Sequence, residues 1–104
     1  MKALYITQKV QIPIEDIRYM EASINYTLVC TSNQGNIISS TTIKRLNDKI
    51  DSNGFIRINK KYVLNKKIIK SYNSINCSVM IDDGRVFTLS RRKDKNLRAM
   101  LEQL

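Results

Sequence analysis

The sequence predicts a mostly β domain with one α-helix in mid-chain and a second at the C-terminus, both packed on its edges. Three features support this prediction. Short runs such as 26–31 alternate β-forming residues between two faces. Turn-forming sequences, such as Ser-Asn-Gln-Gly-Asn at 32–36, separate these runs. Two other segments carry apolar residues at helical spacing behind a Thr or Ser that can cap a helix.

We expect about seven strands among the nine strand-like runs of the chain, because runs with an apolar period of two recur along it. The first covers residues 4–12 and ends at Pro13. A short helical turn with two acidic residues follows and leads into a strand over 18–22. Further strand-like runs lie at 26–31, 37–40, 55–58, 62–64, 66–72, 76–81 and 85–89.

Two segments are predicted to be helical. The mid-chain helix covers residues 41–50 and is capped by Thr41 or Thr42, with apolar residues at i, i+3 and i+7 from Ile43. The C-terminal helix begins after Ser90 as its cap. Its apolar stripe, which we assign to the core, is formed by Leu97, Met100, Leu101 and Leu104.

The chain of 104 residues is predicted to be a single domain over 1–104, without repeats, linkers or low-complexity tracts. No apolar run approaches the ~18 residues that a membrane span requires. The N-terminal segment also lacks the apolar core of a signal peptide. We therefore expect a cytoplasmic protein.

The residues that catalysis or metal binding needs are scarce. The chain has no His, and Cys30 and Cys77 are far apart in apolar, strand-like surroundings, which argues against zinc and against a thiol–imidazole nucleophile. We expect both cysteines to be buried thiols. The acidic pairs at 15–16 and 82–83 fit turns or caps. The sequence therefore predicts neither an enzyme nor a cofactor.

Charge is the strongest functional signal. The chain carries 18 basic and 9 acidic residues, a net charge of +9, and most of the excess lies in residues 52–104. Such asymmetry is typical of a surface for a polyanion. A membrane-binding role would favour a basic amphipathic helix with Trp or Phe on its apolar side, and the chain has no Trp. Nucleic acid is therefore the favoured partner over a membrane.

The basic residues form two clusters. In the segment Phe-Ile-Arg-Ile-Asn-Lys-Lys-Tyr-Val-Leu-Asn at 55–65, cations interrupt a strand-like pattern, and no Asp or Glu lies between Asp51 and Asp82. The first cluster is Lys60, Lys61, Lys66 and Lys67, and the second is Arg91, Arg92, Lys93 and Lys95. Cations in the first turn of a helix oppose its dipole, which favours a role in binding phosphate.

The order of motifs resembles the LytTR DNA-binding domain, the output domain of many bacterial response regulators. The matching pieces cover nearly the whole chain. They are IPIEDIRYMEA at 12–22, NYTLV at 25–29, TTIKRLNDKI at 41–50, FIRINKKYVLN at 55–65, DDGR at 82–85 and LSRRKDKNL at 89–97. The resemblance implies an elongated arrangement of small antiparallel sheets. It also implies that loops and strand ends enter successive major grooves of duplex DNA, at direct repeats.

By position, the resemblance implies three places that approach DNA. They are the loop with Asn25 and Tyr26, the turn with Asn59, Lys60 and Lys61, and the helix start with Arg91, Arg92 and Lys93. The segment 55–65 would then deliver a cationic turn to a groove and not form an interior strand pair. Tyr26 could instead pack at the start of a strand. Lys66 and Lys67 are expected to contact phosphate.

This chain departs from the family pattern after the strand at 55–58. The family has His, then often Arg and Ser, where this chain has Asn59, Lys60 and Lys61. Asn can pair with adenine, and Lys can reach guanine or phosphate, so we expect DNA binding with a different base preference. Asn65 matches the family and is predicted to hydrogen-bond to the backbone of the turn.

We therefore predict a sequence-specific regulator of transcription that binds double-stranded DNA, and keep a non-sequence-specific RNA- or DNA-binding module as the alternative. The resemblance also allows a homodimer on DNA and an upstream sensor or receiver partner, as in two-component systems. Single-strand readers usually display several exposed aromatics, whereas the two Phe and five Tyr here mostly alternate into a predicted core.

Overall fold

The computed structural model describes residues 3–6, 10–50 and 54–104. Over these residues the chain forms ten strands and two α-helices, so the mostly β prediction is confirmed. The strands are β1 (Ala3–Tyr5), β2 (Gln11–Pro13), β3 (Ile17–Ala22), β4 (Thr27–Thr31), β5 (Asn36–Ser39), β6 (Phe55–Arg57), β7 (Tyr62–Asn65), β8 (Ile69–Asn73), β9 (Ser78–Ile81) and β10 (Val86–Thr88). The helices are α1 (Ile43–Lys49) and α2 (Arg91–Leu101), and two 3-10 turns cover Ile14–Asp16 and Lys66–Ile68.

The strands form three antiparallel sheets. The central sheet has five strands in the order β5-β4-β3-β7-β6. A second sheet has the order β10-β9-β8, and β1 and β2 form a separate hairpin. The described residues span 43 × 26 × 22 Å, which agrees with the elongated shape that we expected. None of the helices in the described part of the chain is long and apolar enough to cross a membrane.

The prediction of one continuous strand over 4–12 is wrong. Leu4 on β1 pairs with Ile12 on β2, so the segment folds back on itself as a hairpin. Residues 7–9 lie outside the described residues. An alternating pattern has the same period in a straight strand and in a hairpin, and the sequence of 4–12 contains no Gly, Asn or Asp to indicate a turn.

Both faces of the central sheet are covered. Tyr19 and Met20 are neighbours on β3 and point to opposite faces, since side chains alternate along a strand. Met20 packs with Leu46 of α1 and with the β1–β2 hairpin in a first core. Tyr19 packs with Leu101 of α2 and with the three-stranded sheet in a second core. The central sheet is therefore the middle layer of the molecule.

The segment 55–65 forms the β6–β7 hairpin, and β7 lies between β3 and β6. Val63 and Leu64 are fully buried on opposite faces. The expectation that this segment is not an interior strand pair is therefore wrong for β7. The turn at its tip, residues 58–61, does present two exposed lysines. We refer to this end of the central sheet as the basic end.

The order of elements repeats within the chain, although we expected no internal repeat. A 3-10 turn precedes β3 and likewise β8, and each of these strands has a register shift near its start. After β3 and after β8, a Ser-Ile-Asn sequence connects to the next strand, β4 or β9. That strand is followed by a turn with a glycine at positive φ, a further strand and then a capped helix, α1 or α2. Few residues are identical between the copies, so the repeat is visible in the structure and hidden in the sequence.

An ion pair joins the central sheet to the three-stranded sheet. Arg18 on β3 donates two hydrogen bonds to Asp82 in the β9–β10 turn, with Nη1–Oδ2 at 3.0 Å and Nη2–Oδ1 at 2.5 Å. This two-pronged geometry is the stronger form of such a pair and holds the pKa of Asp82 below its usual range. Arg85 of the same turn donates to the Tyr19 hydroxyl at 2.9 Å. These contacts lie at the end of the sheet opposite the basic end.

The two cysteines differ from the prediction. Cys30 lies on β4 and is half-buried beside the second core. Cys77 is not on a strand: it ends the β8–β9 turn with φ of 51° and is also half-buried. The apolar residues around Cys77 in sequence belong to β9, which begins one residue later.

Asn65 is buried and hydrogen-bonds to the backbone, as predicted. Its Nδ2 donates to the carbonyl of Ile17 at 2.8 Å, and its Oδ1 accepts from the N–H of Lys67 at 2.9 Å. The first bond ties the start of β3 to the end of β7. The second caps the 3-10 turn at 66–68.

We predict that Asn65→Ala lowers the free energy of unfolding by about 1–3 kcal/mol, because it leaves a buried carbonyl without its donor. Urea denaturation measures the change. Asn33→Ala, in the exposed β4–β5 turn, is the control and should stay within about 0.5 kcal/mol of the wild type. Equal small losses for both variants would show that Asn65 has no such structural role.

Candidate nucleic-acid interface

The turn at 58–61 is shaped by Asn59. Its Oδ1 accepts hydrogen bonds from the N–H groups of Lys61 at 2.8 Å and Tyr62 at 2.9 Å. Its Nδ2 donates to the carbonyl of Thr88 on β10 at 2.7 Å. Pairing with adenine needs the amide oxygen and nitrogen together, and both lone pairs of the oxygen are already used. In this conformation the Asn59 amide positions the turn, and its DNA-binding role stays a prediction.

Arg57 is a residue that the sequence analysis did not place in the site. Its Nε donates to the carbonyl of Asn59 at 3.3 Å and its Nη2 to the carbonyl of Lys60 at 3.1 Å. The guanidinium therefore stabilises the backbone of the turn through these two hydrogen bonds and adds a positive charge beside Lys60 and Lys61. The sequence does contain a feature that points to Arg57 as a site residue, because Arg57 lies in the same stretch without Asp or Glu as those lysines.

The start of α2 lies against this turn. Ser90 caps the helix, with its Oγ accepting from the N–H of Lys93 at 3.2 Å, as predicted. The N–H of Ser90 in turn donates to the carbonyl of Ile58 at 2.9 Å. This bond and the one from Asn59 to Thr88 form a junction between the turn and the helix start. The junction brings Lys60 and Lys61 of the first basic cluster next to the second cluster, which lies about 30 residues further along the sequence.

A cleft of ≈ 520 Å³ lies between the turn and the helix start. We refer to it as the basic cleft. Its lining residues come from both elements and are Arg57, Asn59, Lys60, Ser90, Arg92 and Lys93. None of these is acidic, so the cleft attracts anions. Four of them were predicted from the sequence, and Arg57 and Ser90 were not among the predicted DNA contacts.

The exposed residues next to the cleft extend the same charge. Lys61 and Arg91 are exposed at its margins. The Nζ of Lys61 is 4.0 Å from a carboxylate oxygen of Glu21, and this pair is largely exposed, so it holds the lysine weakly. Both cations therefore remain available to a ligand.

Asp94 fixes α2 to the three-stranded sheet. It is buried, although it carries a charge, and its Oδ1 accepts from the Tyr72 hydroxyl at 2.5 Å while its Oδ2 accepts from Arg98 Nη2 at 2.6 Å. The Tyr72 hydrogen bond is the main cause that lowers the pKa of Asp94, and the same bond raises the pKa of Tyr72 to about 12. The Tyr72 bond joins the first turn of α2 to β8, whereas the Arg98 bond lies within the helix.

The loop with Asn25 and Tyr26 lies at the same end of the molecule. The N–H of Ala22, at the end of β3, donates to the carbonyl of Lys61 at 2.7 Å, which places the β3–β4 loop beside the 58–61 turn. Asn25 is exposed, and Tyr26 keeps 42% of its surface exposed. Tyr26 is therefore partly packed at the strand start, and the rest of its surface is accessible to a ligand.

Lys66 and Lys67 lie elsewhere. They belong to the 3-10 turn that follows β7, whereas Lys61 precedes β7. A strand of four residues spans about 13 Å, so these lysines are at the opposite end of the central sheet from the basic cleft. The structure does not bring this pair together with the other predicted contacts, although all are close in sequence.

A profile of the LytTr DNA-binding domain family matches residues 7–102. The chain belongs to the LytTR family. This is a family of DNA-binding domains and not a class of enzymes. Among solved structures, the chain is similar to one described as the LytTr DNA-binding domain of a methyl-accepting/DNA response regulator from Bacillus cereus. The TM-score is 0.75 at 19% identity, over 96% of this chain and 94% of that chain. No curated protein matches the chain.

At this level of identity, the similarity to the Bacillus cereus domain shows a shared LytTR fold. It confirms the resemblance that we found in the order of motifs, and with it the arrangement of small antiparallel sheets. The roles of individual residues in this LytTR domain rest on its own geometry.

We predict that Asp94→Asn destabilises the protein in a pH-dependent manner. The folded pKa of Asp94 is below its ordinary value of 3.8, so its charge stabilises the fold at neutral pH, and this contribution is lost as the pH falls through the folded pKa. The gap in urea midpoint between wild type and variant should be constant near neutrality and shrink below about pH 4.

Asp48→Asn is the matched control for this experiment, because Asp48 is an exposed aspartate on α1. It removes the same charge without touching α2, so its urea midpoint should stay close to that of the wild type throughout. A gap for Asp94→Asn that persists unchanged at pH 2 would contradict a charge-dependent role.

Proposed function

We propose that this LytTR domain acts in a bacterial, cytoplasmic regulator of transcription and binds specific sequences in double-stranded DNA. The observation that carries the proposal is the basic cleft. Its cations come from two separate elements, and hydrogen bonds hold these elements in a fixed relation. A cationic end of a β-sheet whose two elements are joined by hydrogen bonds suits the major groove, which is about 12 Å wide.

Within this proposal Arg92 reads a base. Its guanidinium has the planar fork that matches the O6 and N7 atoms of guanine. It projects from the first turn of α2, which the hydrogen bond from the Tyr72 hydroxyl on β8 to Asp94 ties to the three-stranded sheet. A side chain that recognises a base needs such fixed placement, because its discrimination between guanine and other bases depends on the geometry of both hydrogen bonds.

Lysines of the cleft serve as phosphate anchors. Lys60 and Lys93 line the same cleft as Arg92, so they are placed to neutralise phosphates on either side of the base that it reads. Lys61 and Arg91 extend this contact at the margins. Arg57 supports the turn and contributes charge.

Asn25 and Tyr26 form a second contact with the duplex. Their loop is beside the 58–61 turn but belongs to a different strand connection. A duplex that lies along the basic end would meet both loops. The Tyr26 hydroxyl and the Asn25 amide can each bond to phosphates or base edges.

Lys66 and Lys67 were expected to contact phosphate, and their position at the opposite end of the sheet makes them weaker candidates. We assign the anchoring role to Lys60 and Lys93 instead. Lys67 then provides a useful control, because its removal changes the net charge by the same amount without altering the basic cleft.

The partners we propose follow the family resemblance. One copy of the domain would bind each half of a direct repeat, and two copies together would form a homodimer on DNA. An upstream sensor or receiver, as in two-component systems, would control this assembly. Selection of bound duplexes from a random pool tests the repeat directly, since it yields either a repeated half-site with a fixed spacing or a single site.

The alternative is a module that binds RNA or DNA without sequence preference. Competition separates the two functions: a labelled selected duplex is challenged with unlabelled random duplex and with single-stranded RNA. Sequence-specific binding predicts that neither competitor displaces the selected duplex at equal concentration. Displacement by random duplex or by RNA would support the alternative.

We predict a steep dependence of DNA affinity on salt. Six cations lie in the basic cleft or at its margins, and a protein that meets six to ten phosphates loses about 10³–10⁵ in affinity between 50 and 200 mM salt. Fluorescence anisotropy with a labelled duplex measures this slope. A flat profile would contradict a polyanion-binding surface.

We predict that Arg92→Ala relaxes the preference at one base pair per half-site, because a lost bidentate contact removes about 1–3 kcal/mol of discrimination. Binding to a set of single-base variants of the selected operator measures this. Lys60→Ala should weaken all variants by a similar factor and reduce the salt slope by about one unit.

Lys67→Ala is the control for both variants and should preserve affinity and base preference. Two results would count against these assignments. Uniform loss across all operators for Arg92→Ala would make it a phosphate contact, and a loss for Lys67→Ala as large as that for Lys60→Ala would move the interface toward the other end of the sheet.

A further inference from the structure

Two isoleucines are almost fully exposed among the described residues. Ile24 has 96% of its surface exposed and Ile75 has 91%. Each lies in the middle of a Ser-Ile-Asn sequence, the first between β3 and β4 and the second between β8 and β9. The two turns are equivalent positions in the internal repeat. Exposed apolar residues are common on protein surfaces, but here the same residue recurs at the tip of two equivalent turns.

The turn that carries Ile75 has a defined shape. The Oδ1 of Asn73 accepts hydrogen bonds from the N–H groups of Ile75 at 2.9 Å and Asn76 at 3.0 Å. Cys77 closes the turn with φ of 51°, a conformation that residues other than glycine seldom adopt. The backbone is therefore organised to hold the isoleucine away from the protein.

This turn lies beside the start of α2. The carbonyl of Cys77 accepts a hydrogen bond from the N–H of Leu89 at 2.8 Å, and Leu89 directly precedes the Ser90 cap. The Ser90 N–H bonds in turn to the carbonyl of Ile58. Ile75 is thus at the basic end of the molecule, next to the cations of the helix start and not on a remote face.

We propose that the 74–77 turn is a further DNA-contacting element in which Ile75 packs against the methyl group of a thymine. The inference rests on the proposed function, because it requires a duplex at the basic end. The surrounding cations favour a polyanion, and the thymine methyl is the apolar group that duplex DNA presents in its major groove.

The chemistry of the turn favours DNA over a protein partner. Ser74 and Asn76 flank the isoleucine and are both polar and exposed, so the tip presents one apolar side chain between hydrogen-bonding groups. A protein interface usually buries a continuous apolar patch, whereas a groove offers single methyl groups among polar base edges.

The test uses the whole chain and the duplex that the wild type selects from a random pool. Each thymine of that duplex is replaced in turn by uracil, which removes only the methyl group. For the wild type we expect the affinity to fall about fourfold at one or more thymines, the loss that corresponds to exposing one buried methyl group. Ile75→Ser should bind the original duplex about fourfold more weakly and be insensitive to uracil at that same position.

Ile38→Ser is the matched control, because Ile38 is also exposed but lies within β5. It should keep the wild-type pattern of uracil sensitivity. Ile75→Val is a smaller change at the same tip and should reduce the affinity and the uracil sensitivity by less than Ile75→Ser. It tests the contact in a variant that is less prone to a folding defect than the serine variant.

Two results would overturn this inference while leaving the proposed function intact. They are a wild type that selects a sequence but shows no uracil effect, and an Ile75→Ser variant that retains every uracil effect. Failure of the wild type to select any sequence is a different outcome. It would contradict the proposed function itself, and the inference with it.

Discussion

The basic end depends on the hydrogen-bonded junction between the 58–61 turn and the start of α2. Two bonds form it, from Asn59 Nδ2 to the carbonyl of Thr88 and from the N–H of Ser90 to the carbonyl of Ile58. The cations of the 58–61 turn and those of the α2 start repel each other. The two hydrogen bonds oppose this repulsion and hold the two backbone segments together, so the cleft has its shape before a ligand binds. Such preorganisation reduces the entropy that binding would otherwise cost.

The rest of the fold holds this junction in place. β7 is buried on both faces, so the turn that precedes it cannot shift without disturbing two cores. At the opposite end, Arg18 and Asp82 join the two sheets, and the carboxylates of that turn lie away from the basic cleft. The lining of the basic cleft therefore contains no carboxylate, and the carboxylates of Asp82 and Asp83 lie at the other end of the sheet.

Much of this arrangement could be predicted from the sequence. The alternation on β4, the caps at Thr42 and Ser90, and the bond of Asn65 to the backbone of the following turn all follow local rules that the structure confirms. The family was also recognisable, because ordered motifs carry more information than single ones. The cationic turn and helix start were identified as candidates from charge alone.

Other features could not be predicted, because they depend on contacts between distant residues. Lys61 and Lys66 are five positions apart, yet β7 separates them by its full length. The role of Asn59 depends on Thr88, which lies 29 residues further along the chain. The alternation of 4–12 did not distinguish a strand from a hairpin. The repeat was hidden because its copies share the order of elements and few residues.

We propose that the 58–61 turn and the α2 start form a single DNA-binding surface. A titration of the ¹⁵N-labelled protein with the selected duplex, followed by amide chemical shifts, tests this proposal. We expect the largest shift changes to occur together, at the same protein–DNA ratio, in residues 58–61 and 90–93, with smaller changes at 66–67 and 82–85. Largest changes at 66–67 and 82–85, with the turn and helix start unaffected, would contradict it.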